Sequence, residues 1–205
     1  MDDHSPSDAV RGRSRGVMVG AVFALGWAVF GAAGFGPPLQ YPLVAAAIAI
    51  TVLLFRASGR VRRKAQALPP ATPEQSLATR RVWRWFWLNF VAEVILLNIA
   101  LNLLSAPALQ VYWVPAISAV VGLHFWPMAR FFRARSYWWI GGAMLAGAAI
   151  TALLIARTPG LAFELAHAEA LANALILWCG MAGGVRAAMR MARLTTGASE
   201  NGATR

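Results

Sequence analysis

Six long apolar runs, at residues 16–35, 39–55, 83–105, 108–128, 137–156 and 161–182, leave this chain few ways to fold. Each approaches the ~20 residues a helix needs to cross a bilayer. In lipid every backbone N–H and C=O must be satisfied within its own segment, so runs of this length form helices. A water-soluble fold fails for want of polar surface. Only 13% of the residues are charged and the mean hydropathy is +0.55, whereas an average globular domain is about 25% charged. The expected fold is therefore all-α, a polytopic transmembrane bundle over residues 16–194, with six crossings paired as three hairpins.

The segments between the runs read as turns and tails. Residues 1–15 mix Asp2, Asp3 and Asp8 with Arg11, Arg13 and Arg15 and are nearly free of apolar side chains, so they are expected as a disordered tail, like residues 195–205. The first run follows three arginines and ends among small residues, which raises a cleaved signal peptide. It is longer than a signal core of ~7–15 residues, and a retained helix is the preferred reading. Small residues recur every fourth position along it, Gly16, Gly20, Ala24, Ala28, Ala32 and Gly36, a pattern that permits close helix contact and suits a seam between two copies of the chain. Gly141, Gly142 and Gly147 give the fifth run a similar surface. Gly36-Pro37-Pro38, Ser105-Ala106-Pro107 and Arg157-Thr158-Pro159-Gly160 close short turns. The longest connection is the basic loop 56–82. Within it Thr72-Pro73-Glu74-Gln75 spells a helix start that runs on into the third crossing.

Charge sets the orientation. Of 19 Lys and Arg residues, three precede the first crossing, eight lie between the second and the cytoplasmic end of the third, counting Arg84 at that end, three separate the fourth from the fifth and four follow the sixth; Arg157 alone lies on the other side. By the positive-inside rule both termini are cytoplasmic. The setting this implies is a bacterial inner membrane, with anionic headgroups facing the basic segments. The net charge of +11 does not indicate nucleic acid, because the cations sit in short segments rather than on one basic domain. The single Cys179 excludes an intramolecular disulfide and reads as a small buried residue.

The third run, Trp83 to Leu104, is the anomaly around which the rest is expected to be arranged, because it carries Asn89, Glu93, Asn98 and Asn102 inside the crossing. An ionisable group near mid-bilayer costs about 2.5–3.5 kcal/mol on insertion scales and needs a partner or a task. Trp83, Trp85 and Trp87 beside Arg80, Arg81 and Arg84 read as an interfacial anchor, which gives the helix a depth scale. Counting inward from it and from Trp126 puts Asn89 and His124 at one depth, with Glu93 about a turn further in. Asn89 and Glu93 share a helix face and are expected to meet His124 on the fourth helix. Asn98 and Asn102 form a second pair, for which Asn173 of the sixth run is the expected partner. Two readings of the first cluster stand: interhelical cohesion, or a site where Glu93 exchanges protons or binds a cation or polar ligand.

Other constellations are weaker. Glu164-x-x-His167, with Glu169 nearby, has a di-iron spacing but lacks the second pair and the extra glutamates, and otherwise reads as a polar helix end at the outer interface. No metal and no cofactor are expected. Serine-hydrolase, zinc-protease and P-loop motifs are missing, and no nucleophile–base pair assembles on one helix face, so an enzyme is the least supported class. Gly122-Leu123-His124-Phe125-Trp126-Pro127-Met128-Ala129, followed by an Arg-containing turn and Tyr137-Trp138, resembles an uncharacterised set of small bacterial integral membrane proteins. Their stretch reads approximately Gly-Leu-His-Phe-x-Pro-Leu-Ala, and Met128 stands here for the leucine. The resemblance implies an architecture and singles out His124 and Pro127, but transfers no activity. A small transporter-like or ligand-binding membrane protein is the leading expectation, and a non-catalytic scaffold or partner subunit the alternative.

Overall fold

A computed structural model describes residues 6–66, 72–132 and 134–203. The first five residues, residues 67–71 of the basic loop with its Leu68-Pro69-Pro70, Arg133 and the last two residues lie outside that description. The described chain forms six α-helices: α1 (Pro6–Ala32), α2 (Pro37–Gln66), α3 (Pro73–Leu103), α4 (Trp113–Phe131), α5 (Arg135–Arg157) and α6 (Ala162–Ala203). Short 3-10 turns, Pro107–Tyr112 and Pro159–Leu161, lead into α4 and α6, and there is no strand among the described residues. All six helices are long and apolar enough to cross a membrane, the architecture of a multi-pass membrane protein.

The helices outrun the apolar segments that seed them. Helix α1 begins at Pro6 rather than Gly16, α2 continues to Gln66, α3 begins at Pro73, and α6 continues to Ala203. Residues 6–15 and 195–203, expected as disordered tails, are therefore helical, as is most of the basic loop. Elongation adds one hydrogen bond per residue once a helix is nucleated, so a polar extension costs little. Tertiary contact holds the first two extensions in place. Ser14 and Ser58 clasp reciprocally, with Oγ···Oγ at 2.7 Å, Ser58 Oγ donating to Ser14 O at 2.8 Å and Ser14 Oγ donating to Ser58 O at 3.1 Å. Val10, Val61 and Ala65 are buried alongside. Proline opens helices as well as closing them: Pro37 and Pro73 each occupy a first helical position, where the missing N–H has no intrahelical partner to lose.

The centre of the bundle is α6, which packs against α1, α2, α4 and α5, whereas α3 rests on α4 at the periphery. No residue in the spanning window of α3 is buried, while nearly half of those in α6 are. The third run is thus not the organising element. The reason lies in side-chain size. Helix α1 turns its small-residue stripe inward, with Ala24, Ala28 and Ala32 buried and Gly20 against Met181 of α6. A Cβ on Gly31 would come within 2.9 Å of the His167 carbonyl. The stripe is used within the chain and does not form a free seam. Helices α4 and α5 cross equally closely at Gly122 and Gly141, and Gly180 of α6 receives Ile140 of α5. Cys179 is exposed rather than buried, because it lies on the outward side of α6.

Candidate functional site

The α3–α4 pair is stapled at three levels. At one end Trp113 Nε1 donates to Leu104 O at 2.9 Å, and at the other Trp85 stacks on Phe131 with centroids 5.5 Å apart. Between them, Asn89, Glu93 and His124 meet. Asn89 and Glu93 project from one face of α3, four residues apart, toward the imidazole of α4. Glu93 Oε2 is 3.1 Å from His124 Nδ1, and Asn89 Nδ2 is 2.9 Å from the same nitrogen. Asn89 Nδ2 also donates to His124 O at 3.1 Å. The side chains of His124 and Glu93 are only 9% and 11% exposed, so the pair is shielded although α3 is peripheral. Pro127 contributes from one turn away. It has no N–H to offer Leu123 O, which loosens the turn that carries His124 at the point where the Asn89 amide approaches its carbonyl.

One nitrogen facing two neighbours allows two arrangements. If Nδ1 carries hydrogen, it donates to the Glu93 carboxylate, and Asn89 spends its N–H groups on the His124 carbonyl. If Nδ1 is bare, it accepts either from Asn89 or from a protonated Glu93. Moving one proton between Glu93 and His124 would therefore switch what Asn89 can do, and the one heavy-atom arrangement accommodates either proton position. A cavity of about 290 Å³ lies between α1, α5 and α6, lined among others by Val17, Arg135, Tyr137, Met181 and Gly184. None of the three cluster residues lines it.

The second polar group does not form as expected. Asn98 and Asn102 are exposed on α3 and donate to their own helix, Nδ2 to Val94 O at 2.9 Å and to Asn98 O at 2.8 Å. Asn173 is instead buried in the bundle, 1% exposed, and donates to Ser118 Oγ of α4 at 2.6 Å. Because α6 is central and α3 peripheral, Asn173 meets α4 and not the α3 asparagines. Glu164 is exposed, and His167 is clamped between Phe30 and Phe163 with Nδ1–H donating to Phe163 O at 2.7 Å. Among the described residues no three His, Cys, Asp or Glu side chains converge on a metal position.

Sequence reasoning missed Glu169. Read as a polar helix end, it is 4% exposed and lies inside the α6 span. The hydroxyls of Ser118 and Thr151 face its carboxyl, yet neither carboxyl oxygen completes a hydrogen bond among the described residues. Its spacing to Asn173 is the same four residues that paired Asn89 with Glu93, and that repeated interval was the available signal. These features define a class: a multi-pass helical bundle with ionisable groups held at two places between its helices. Comparison with protein families, with curated proteins and with solved structures finds no match to the chain.

Proposed function

We infer that this chain is a small transporter-like or ligand-binding protein of a bacterial inner membrane, with both termini cytoplasmic and its polar site between α3 and α4. The observation that carries the reading is Glu93 Oε2 at 3.1 Å from His124 Nδ1, a shielded carboxyl–imidazole contact inside the apolar span. Such a pair can hold a proton on either partner, and a group that exchanges a proton within a membrane is the elementary part of a proton-coupled device. Glu93 is the exchanging group, His124 its partner, and Asn89 the residue that positions the imidazole.

The test uses purified protein in liposomes loaded with a pH-sensitive dye, with proton entry driven by a potassium diffusion potential. Wild type is expected to acidify the lumen above empty liposomes. Glu93→Gln, with an unchanged gel-filtration profile, is expected to lose at least about 90% of that rate, the order of loss typical of removing a proton-transfer group. Equal rates in the two proteins, or no wild-type flux, would sink the reading.

Orientation has its own check. In a Cys179→Ser background, Gly36→Cys and Arg62→Cys occupy exposed positions near opposite ends of α2, and Ser58 is unsuitable because it is buried. A membrane-impermeant maleimide applied to the periplasmic side is expected to label the first and spare the second. Labelling of both from one side overturns the topology.

A second reading has an observation of its own. The outward face of α3 exposes Asn98 and Asn102 within its span, each with an amide oxygen that lipid cannot satisfy. A non-catalytic scaffold or partner subunit would place another helix, or a second copy of the chain, against that face.

A further inference from the structure

We propose that Glu169, Asn173, Thr151 and Ser118 form a binding site for a dehydrated monovalent cation, sodium or potassium, at the junction of α4, α5 and α6. The residues come from three helices and share one depth. Glu169 lies seven residues beyond the start of α6, Thr151 six before the end of α5 and Ser118 five beyond the start of α4, or about 10, 9 and 8 Å from that end of the bundle at ~1.5 Å per residue. Asn173 is one helical turn below Glu169 on the same face of α6. All four are buried: Ser118 0%, Asn173 1%, Glu169 4% and Thr151 7% exposed.

The chemistry of the cluster is lopsided. Glu169 Oε1 and Oε2 and Asn173 Oδ1 are buried without a hydrogen-bond partner among the described residues, and the Thr151 hydroxyl faces the carboxyl. Asn173 has committed its amide nitrogen to Ser118 Oγ at 2.6 Å, which fixes the amide and leaves its oxygen free. Every unpartnered atom is thus an oxygen. Among the described residues no Lys, Arg or His forms an ion pair with Glu169. The nearest cationic candidate on its own helix, His167, has its Nδ1–H on Phe163 O and its ring against Phe30.

Two occupants could neutralise the carboxylate, a proton or a metal cation. A carboxylic acid O–H must point at an acceptor, and the Ser118 and Thr151 hydroxyls, which face the carboxyl, complete no hydrogen bond with either of its oxygens. A hard cation has no such directional demand and takes whatever oxygens surround it, at about 2.3–2.6 Å for ions of calcium size. One carboxylate with neutral carbonyl and hydroxyl oxygens balances a single positive charge. A divalent ion would leave an uncompensated charge in the apolar interior. The site is separate from the Glu93 cluster: Ser118 faces α6, His124 faces α3, and the two are six residues apart along α4.

The experiment is thermal unfolding of the full-length protein in lipid nanodiscs, titrated with sodium or potassium chloride against choline chloride at constant ionic strength. At a hundredfold excess over its dissociation constant, the bound cation is expected to raise the melting temperature by roughly 5–10 °C, saturably. Glu169→Gln is expected to abolish the response. Thr151→Val, which keeps shape and removes one oxygen, is expected to shift the midpoint to roughly tenfold higher cation concentration. Should Glu169→Gln not fold, the wild-type and Thr151→Val titrations decide. Glu93→Gln should keep the response in full, so failure of the α3–α4 reading and failure of this one are distinguishable. Equal melting in all three salts, a response to pH alone, or an unshifted midpoint in Thr151→Val would overturn the proposal.

Discussion

Replacing Gly141 with leucine is expected to destabilise the bundle by about 3 kcal/mol or more, at the top of the range for overpacking a close-packed interior. A Cβ at Gly141 would stand 2.5 Å from Gly122 O and 2.8 Å from Trp126 Cδ1. The first obstacle is backbone, which cannot rotate away, so α4 and α5 must separate. The contact is reciprocal, since a Cβ on Gly122 would stand 3.0 Å from Gly141 O. Separation would also disturb the α5 face that carries Ile140 into Gly180 and Thr151 toward Glu169. Gly147 is the internal control. It has open space where its Cβ would be, and Gly147→Ala is expected to be neutral or to stabilise by up to about 1 kcal/mol through helix propensity. Denaturant or thermal unfolding in mild detergent reads both variants. Equal stability of the two would show that the Gly122–Gly141 crossing is not a tight contact.

The second large effect concerns the cost of breaking a polar pair against the cost of deleting it. His124→Leu removes the group facing Glu93 and leaves a shielded carboxyl in the span, with an expected loss of about 3 kcal/mol. Glu93→Leu/His124→Leu removes both groups, fills the gap with apolar atoms, and is expected to recover most of that stability. Recovery without proton flux would separate the two readings of the cluster, since folding would then be independent of groups the flux requires. If the double variant is no more stable than the single, the Glu93–His124 contact contributes more to cohesion than burial costs it, and the pair is structural.

The residues of this cluster show how far a single sequence reaches. Asn89, Glu93 and His124 could be placed together because consecutive helices joined by a short turn are neighbours, and because aromatic residues at their ends supplied a common depth scale. The same counting failed for Asn98, Asn102 and Asn173, which lie on helices distant in sequence. Their adjacency depended on the order of helices around the bundle, and the assumed order was wrong. Glu169 was missed for a related cause. Depth alone suggested a polar end, and only the packing of α4 and α5 over α6 turns that position into an interior.

The stripe of small residues on α1 makes the same point about faces. Its period was legible, and so was its meaning as a surface for close approach. Its partner was not, because lipid is as apolar as leucine and hydrophobicity in a membrane helix does not point inward. What chose α6 over a second copy of the chain was local fit, Met181 at Gly20 and Leu171 at Gly31.

Hydropathy and turn chemistry by themselves therefore determined an all-helical chain with six segments able to span, the proline-marked helix start at Pro73, and one polar contact between sequential helices. Tertiary structure alone decided that α6 is the hub and α3 the rim, that the α1 and α2 extensions are held by a serine clasp, and that the Glu169 carboxyl, with no ion-pair partner among the described residues, is enclosed beside the hydroxyls of Ser118 and Thr151. The division has one physical cause. The requirement to satisfy the backbone in lipid acts within each segment and is written along the chain, whereas the choice of neighbours rests on close steric contacts between segments, which exist only once the helices have met.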